Sequence, residues 1–411
     1  KMKREKINII LIVIIIILIA IIGVVIFTNS GVIAENDITN NVTNQEENVT
    51  QNQEVNEQEN ALIVDVGNNE IENTIHNIVN DIPAEELIFE LPINGATGYA
   101  PTTISLFDSA QDGASTITTI KAGEAFTIIS EEGNYLYVQY GESLGYLDST
   151  ICMINLPDII PSIVYDDTNS YSSIFKSSGY NLSGITGKQL YDASSYNNRL
   201  LQEEYNMPVL YQMAKKIYEA QKLALANNQS LKIYETFRPY EVQMKVSSSL
   251  SELEASNETV KNGINAGSWN DSWFIAQTRS NHQLGVAMDV SLVQINSTVE
   301  KKAGRYTYTK ITDYTEYAMP TSMHELSAAA AAFSYPVSSA SKTAWKNVPL
   351  ASSMTTPAKQ LQNYCTSAGM SPLASEWWHF NDLDAKEAIK NKGINGKFYL
   401  QDNVSKAPEN Y

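Results

Sequence analysis

The chain has 411 residues, of which 43% are hydrophobic and 18% charged, and its net charge is −18. This length is enough for two or three folded units, and a strongly acidic chain should avoid the phosphate backbone, which argues against a nucleic-acid partner. The two cysteines, Cys152 and Cys365, are too few for a disulfide framework or a thiolate zinc cluster. We expect two packed thiols, with one long-range disulfide as the alternative.

Residues 1–34 are predicted to form a short cytoplasmic tip and a transmembrane anchor. The basic start KMKREK precedes a run from Ile9 to Phe27 that contains only apolar residues and glycine. Such a run is long enough to cross roughly 30 Å of hydrocarbon as a helix, and the basic flank keeps the N-terminus inside. A cleaved signal peptide is the alternative, although the run exceeds the usual apolar core of roughly 7–15 residues.

Residues 35–90 are predicted to be an extended tether. No Lys or Arg occurs between Lys6 and Lys121, and the segment is rich in Asn, Gln, Glu and Asp. A segment of this composition cannot bury enough apolar surface to offset its ordering entropy, and its charges repel one another.

Residues 91–156 contain short alternating runs that are broken by glycine-containing turns, the pattern of short β-strands. The Lys121-Ala-Gly-Glu124 turn, the aromatic run "YLYVQY" and the later Gly145-Tyr-Leu resemble bacterial SH3-like domains. This resemblance implies a small all-β barrel of a kind that often binds peptidoglycan peptides. The tyrosines either line a ligand groove or pack between strands; they are Tyr135, Tyr137, Tyr140 and Tyr146.

Residues 157–411 mix helical and strand patterns. Pro208 is predicted to open an amphipathic helix that ends near Asn227, because proline suits a first helical turn. The run "SLKIYETF" then alternates as a strand, which places Arg238 at a strand end and lets Pro239 start the next helix. Taken alone, Arg238 is better explained by a surface or helix-capping ion pair.

The stretch "RSNHQLGVAMDVSL", residues 279–292, contains a candidate metal ligand on a buried strand. Period-two alternation puts Asp289 on a face shared with small residues. Gly285 lets the chain turn and brings His282 back over that face. A carboxylate in this position needs either a divalent cation or a salt bridge.

The stretch "SEWWHFND", residues 375–382, supplies a second set of polar groups among aromatic residues. His282, Asp289 and His379 together make two imidazoles and one carboxylate, a set that suits tetrahedral zinc with an open fourth position. Glu376 is then left as a base for the bound water. An aromatic core patch with hydrogen-bonded polar tips is the alternative.

These motifs resemble the D-Ala-D-Ala zinc peptidases. Residues 280–289 fit the family signature Ser-x-His-x-x-Gly-x-Ala-x-Asp, residues 376–379 fit Glu-x-x-His, and "ETFRP" fits a strand-end Arg-Pro. The resemblance implies an α+β catalytic domain with a central antiparallel sheet and one zinc ion per chain. It further implies the following roles: metal ligands His282, Asp289 and His379; general base and acid Glu376; oxyanion stabiliser Arg238; substrate contact Ser280.

One segment departs from the family pattern. In "MPTSMHELS", Met323 and His324 stand where the family usually has Phe and Asp. The segment borders the substrate pocket in relatives, so the resemblance leaves substrate details open, and a fourth zinc ligand at His324 is an alternative. His76, in the tether, has no predicted role.

The expected function is that of a membrane-anchored D,D-carboxypeptidase whose catalytic domain faces the cell wall and acts on peptidoglycan stem peptides. A D-Ala-D-Ala dipeptidase is the first alternative and a stem-peptide endopeptidase the second. Two His and one carboxylate also hold non-haem iron in oxygenases, and a non-catalytic wall-binding protein is a further alternative. The sequence leaves the oligomeric state open.

Overall fold

The computed structural model describes residues 87–390 and 392–408. The predicted anchor and nearly all of the predicted tether lie outside the described residues. The described residues belong to one compact unit. Within the part of the chain that is described, no helix has both the length and the apolar character needed to cross a membrane.

The described residues contain many short strands and a few longer helices. The strands in chain order are β1 (Thr97–Tyr99), β2 (Ile104–Phe107), β3 (Thr116–Ile120), β4 (Ala125–Glu132), β5 (Tyr135–Tyr140), β6 (Ser143–Asp148), β7 (Met153–Asn155), β8 (Val164–Tyr165), β9 (Lys176–Ser177), β10 (Tyr180–Asn181), β11 (Ser194–Asn197), β12 (Gln202–Tyr205), β13 (Pro208–Leu210), β14 (Gln229–Glu235), β15 (Ala287–Ala303), β16 (Tyr306–Glu316), β17 (Ser371–Pro372) and β18 (His379–Asn381). The α-helices are α1 (Leu156–Ile159), α2 (Tyr211–Leu225), α3 (Tyr240–Ser256), α4 (Glu258–Ile264), α5 (Asp271–Phe274), α6 (Thr356–Ser367) and α7 (Leu383–Ala388).

The short strands predicted for residues 91–156 are present, but the predicted SH3-like barrel is not confirmed. The strands form an antiparallel sheet of eight in the order β13-β7-β1-β4-β5-β6-β2-β3. Its two outer strands, β13 and β3, are not paired with each other, and no closed barrel is found among the described residues. Strand β13, from outside residues 91–156, extends this sheet by pairing with β7.

The second sheet is mainly antiparallel, as the family resemblance implies. Its strands follow the order β17-β18-β15-β14-β8, and β16 pairs with the outer half of β15. Among the strand pairs of this sheet in the described residues, β14 with β8 is the parallel one. Helices α2 and α6 pack near this sheet and bury their apolar faces in the main core, which also contains Cys152 and Cys365 as free thiols.

The helix predicted from Pro208 begins three residues later, at Tyr211. Residues Pro208–Leu210 are a strand that pairs with β7, so the prediction that proline occupies the first helical turn is wrong. Pairing with a strand more than fifty residues earlier outweighs the local helix signal of the proline. From Tyr211 onward the predicted amphipathic pattern holds, because the buried residues recur at helical spacing: Met213, Ala214, Ile217, Ala220, Gln221 and Ala224.

The N-terminal sheet and the rest of the unit share backbone and side-chain contacts. The backbone N–H of Tyr211 donates to the carbonyl of Cys152 at 2.9 Å. Buried Asp158 accepts hydrogen bonds from Thr97 N at 2.7 Å, Asn197 Nδ2 at 2.6 Å and Ser405 Oγ at 2.6 Å. Three distant parts of the chain therefore meet on one carboxylate. The predicted boundary at residue 156 between two domains stays a prediction.

Candidate metal centre

Strand register brings three acidic and imidazole side chains into one row. Asp289 of β15 lies opposite Glu235 of β14 on one side and opposite His379 of β18 on the other. Residues directly opposite in paired strands point to the same face of the sheet. A register irregularity between Ile233 and Glu235 precedes this row. Alternation along three strands, rather than a loop, therefore sets the positions of Asp289 and His379.

His282 reaches the same face through the predicted glycine turn. Gly285 has φ +66°, in the left-handed region that favours glycine, and its N–H donates to the carbonyl of His282 at 3.1 Å. A Cβ at this glycine would lie 2.7 Å from Met153 Cε. The turn folds the chain back before β15 begins, so His282 lies beside Asp289.

The hydrogen bonds behind the two imidazoles fix their tautomers. His282 Nδ1 lies 2.8 Å from the carbonyl oxygen of Thr236, which can only accept, so Nδ1 carries the proton and Nε2 faces the site unprotonated. His379 Nε2 lies 3.0 Å from Asn381 Oδ1, which also accepts from Asn281 Nδ2 at 2.6 Å. His379 therefore donates through Nε2 and turns Nδ1 toward the site.

The spacing of these atoms fits a tetrahedral metal ion. His282 Nε2 lies 3.2 Å from His379 Nδ1 and 3.4 Å from Asp289 Oδ2, and His379 Nδ1 lies 2.9 Å from Asp289 Oδ1. Tetrahedral zinc with bonds of about 2.1 Å would place its ligand atoms about 3.4 Å apart. The donor set, two imidazoles and one carboxylate, is also one that zinc accepts.

The electrostatics of the three residues call for a cation between them. Burial acts to raise the pKa of Asp289, but the charge and hydrogen bonds of the neighbouring imidazoles hold it well below its usual range. Burial lowers the pKa of His282. Burial also acts to lower the pKa of His379, although its hydrogen bond to Asp289 raises it overall. Arg238 supplies positive charge on one side of Asp289, and a cation bound between the three ligand atoms would be stabilised by the Asp289 carboxylate.

Glu376 lies at the edge of the three-residue cluster. Its Oε2 is 3.7 Å from His379 Nδ1, too far for a hydrogen bond, so it is close to the site without belonging to the row of ligand atoms. Burial raises the pKa of Glu376 to about 8. Together with Asp289 it supplies the two carboxylates among the residues that line the adjoining cavity.

Arg238 lies directly behind Asp289. Its Nη2 lies 3.2 Å from Asp289 Oδ2 and also contacts Glu235. Its Nε donates to Glu235 at 2.8 Å, and its Nη1 donates to Gln243 Oε1 at 2.8 Å. A guanidinium has five N–H donors. The fifth, on Nη1, has no partner within residues 87–390 and 392–408, and Arg238 lines the cavity.

The chain matches the family described as D-ala-D-ala dipeptidase over residues 180–399, which is 220 of its 411 residues. The chain belongs to this family. No curated protein matches it. The matched range contains every predicted site residue of this D-Ala-D-Ala peptidase. The family's peptidases are zinc-dependent and act on peptidoglycan-related peptides, and the cluster of His282, Asp289 and His379 has its ligand atoms within 4.8 Å of one another.

His324, which the sequence offered only as an alternative fourth zinc ligand, contacts Asp289 in the structure of this family member. Its Nε2 lies 3.0 Å from Asp289 Oδ2, and its ring stacks on Phe175 with centroids 4.2 Å apart. Its φ of +60° is unusual for a residue other than glycine. The departure of "MPTSMHELS" from the family pattern was the signal that could have pointed to this contact.

A second group of possible ligands, Glu235, Asp289 and His324, has its ligand atoms equally close together. The guanidinium of Arg238 already supplies a cation to Glu235 and Asp289 there. Burial acts to raise the pKa of Glu235, but Arg238 lowers it overall. This group is therefore an ion-pair network that holds Arg238 and Asp289 in place, and it does not fit a second metal ion.

A cavity of about 330 Å³ opens in front of the cluster. Ser280 lines it and is 7% exposed, and its Oγ has no hydrogen-bond partner within the described part of the chain. Its backbone N–H donates to Gln283 Oε1 at 3.0 Å. Phe175, Trp273 and Trp378 supply apolar surface to the wall. The cavity thus joins an apolar wall to the polar row of the peptidase site.

Proposed function

We propose that this protein is a zinc D-alanyl-D-alanine carboxypeptidase that removes the terminal D-Ala from peptidoglycan stem peptides. The proposal is supported chiefly by the convergence of His282 Nε2, Asp289 and His379 Nδ1 at the edge lengths of a zinc tetrahedron. Glu376 beside them and the cavity in front provide the base and the space that hydrolysis requires.

His282, Asp289 and His379 would hold the zinc ion, which when bound polarises a carbonyl and lowers the pKa of a water toward about 7. Hydrolysis adds the oxygen of water to the carbonyl carbon, breaks the C–N bond and delivers a proton to the departing amine. Glu376 accepts the proton of the attacking water and passes it to the amine, because it lines the cavity without being one of the three ligands.

Arg238 stabilises the negative charge that develops on the carbonyl oxygen. Its bonds to Glu235 and Gln243 fix the guanidinium, so the remaining Nη1 donor is oriented before substrate binds. Removal of one such preorganised donor typically lowers turnover by about 10²–10³-fold. Asp289 touches the same guanidinium, which couples the position of Arg238 to that of the metal ligand.

The choice of a stem peptide over the free dipeptide is supported by the N-terminal sequence. An apolar run followed by a long acidic tether would place the catalytic region outside the cell membrane, where stem peptides are found. The SH3-like sequence pattern adds a region of a kind that often binds peptidoglycan peptides.

A D-Ala-D-Ala dipeptidase is the second candidate. It is favoured by the description of the matching family and by the "EWWH" element, which resembles the dipeptidase branch. Both activities use the same cluster and break the same bond, and they differ in what precedes that bond in the substrate.

Mass analysis of products from pentapeptide muropeptides and from free D-Ala-D-Ala tests the proposal. Loss of one alanine from the pentapeptide, abolished in Glu376→Ala with zinc retained, is the expected result. Cleavage of the free dipeptide alone would establish the second candidate, and release of larger fragments would establish an endopeptidase. Iron-dependent oxygen uptake, or wall binding without zinc and without hydrolysis, would overturn the proposal.

A further inference from the structure

Two positively charged side chains line the cavity without a carboxylate partner. Arg279 precedes Ser280, and Lys386 lies on α7, which follows the His379 strand; both line the cavity that holds the metal cluster. The side chain of Lys386 makes no hydrogen bond or ion pair within residues 87–390 and 392–408. Arg279 donates through Nη1 to the backbone carbonyl of Ile394, and it has no acidic partner in that part of the chain.

The acidic residues nearest to Lys386 in sequence are held by other lysines. Asp382 and Asp384 pair with Lys216 at 2.6 and 2.7 Å. Glu387 pairs with Lys342 at 3.0 Å. The helix therefore carries carboxylates, yet none of them neutralises Lys386, which is directed to the cavity instead.

The positive charges of Arg279 and Lys386 repel each other. Burial, and after it the positive charge of Arg279, lowers the pKa of Lys386. Two like charges at one partly buried site are destabilising unless an anion lies near both. The remaining carboxylates of the cavity, Asp289 and Glu376, are committed to the metal cluster, so the anion has to come from a ligand.

A hydrogen bond holds the loop that contains Ser280 next to the strand that carries His379. Asn281, next to Ser280, donates to Asn381 Oδ1 at 2.6 Å, which ties the serine loop to the strand of His379. Ser280 Oγ is buried and unpartnered in the described residues, and it lines the same cavity. A hydroxyl donor and two cations are therefore available beside the site where the peptide bond would be cut.

We propose that Lys386 and Arg279, together with Ser280 Oγ, bind a carboxylate of the substrate, namely the C-terminal carboxylate that leaves with the departing D-Ala. This inference rests on the proposed function for the identity of the carboxylate, and it makes Lys386 a specificity-determining residue. The site would discriminate against peptides whose C-terminus is neutral.

The test compares three peptides: acetyl-L-lysyl-D-alanyl-D-alanine, its C-terminal amide, and the amide extended at the N-terminus by a γ-linked D-glutamate, which carries an internal carboxylate. Lys386→Met should raise KM for the free-acid peptide about tenfold, within the range for loss of a charge-assisted hydrogen bond. The same substitution should change kcat and zinc content little. Lys386→Arg should retain most of the preference for the free acid.

Lys390→Met, which removes an exposed lysine four residues away, is the matched control and should behave as the wild type. Equal effects of Lys386→Met on the acid and the simple amide would overturn the inference. A selective effect on the D-glutamate peptide would support an anion site but assign it to the internal carboxylate of the stem.

A binding measurement separates this inference from the proposed function. If the wild type hydrolyses none of these peptides and no free dipeptide, the function fails, while the subsite is still tested by calorimetry of acetyl-D-alanine and acetyl-D-alaninamide with the zinc-loaded protein. A preference for the acid that falls about tenfold in Lys386→Met supports the subsite. The absence of any such preference in the wild type overturns it.

Discussion

The contact between His324 and Asp289 predicts that a residue outside the ligand set controls metal affinity. His324→Ala removes the Nε2 donor that lies 3.0 Å from Asp289 Oδ2. Both side chains are buried, at 1% exposure each, so water does not replace the lost bond freely. Removal of a hydrogen bond that orients a ligand typically weakens metal binding about 10–100-fold, which corresponds to about 1.4–2.8 kcal/mol.

The substitution also removes a ring that stacks on Phe175, so a general loss of stability has to be separated from a specific loss of zinc. Phe175→Leu is the matched control because it removes the stacking partner and leaves the bond to Asp289 in place. Zinc affinity is measured by competition with a chromophoric chelator, and thermal unfolding is measured on the same samples.

We expect His324→Ala to weaken zinc binding by at least tenfold, and Phe175→Leu to lower the unfolding temperature while zinc affinity stays within about threefold of the wild type. If His324→Ala binds zinc as tightly as the wild type, His324 does not orient Asp289. If both substitutions weaken zinc binding equally, the proposed role of His324 would also be refuted, because the lost affinity would then come from a general loss of structure around the site.

Three further outcomes are expected. Glu376→Gln should lower kcat by about 10²–10⁴-fold, the usual contribution of a general base, while zinc content stays unchanged. The control is Glu387→Gln, which removes an exposed carboxylate. Substantial turnover in Glu376→Gln would contradict the assignment of Glu376 as the base. His379→Ala should lose both zinc and activity, and full zinc occupancy measured by atomic emission would show that His379 is not a ligand. Glu90→Gln should unfold at a higher temperature than the wild type at pH 8 but not near pH 4.5. Burial raises the pKa of Glu90 to about 7 despite its hydrogen bonds from Ser162, so its ionised form destabilises the fold progressively as pH rises from the unfolded value of 4.5 through 7. An equal difference in unfolding temperature at both pH values would exclude this cause.

The local placement of Asp289, Gly285 and Arg238 could be predicted because it depends on local rules. Period-two alternation placed Asp289 on a face with small neighbours, and that residue lies in β15 as expected. The glycine turn at Gly285 and the strand before Arg238 also have the predicted geometry. Each of these features is set within a few residues of the chain, so the sequence pattern contains it.

The surroundings of the cluster could not be predicted in the same way, because they depend on strand register and long-range packing. Glu235 was quoted only as part of a motif, yet register places it beside Asp289 and in contact with Arg238. His324 reaches Asp289 from a segment 35 residues later. Long-range pairing also explains why Pro208 was wrongly placed in a helix. Its strand partner, β7, lies in a region that the sequence pattern treated as a separate domain.

The pairing of β13 with β7 determines how the N-terminal sheet can be separated from the rest of the protein. A shortened chain that starts at residue 157 would leave β13 as a bare strand edge and take Thr97 away from buried Asp158. Exposed edges of this kind invite aggregation, so deletion cannot isolate the contribution of that sheet. In the intact protein these contacts fix the orientation of the sheet relative to the cleft, so any ligand that bound to the sheet would be presented to the cleft from a single direction.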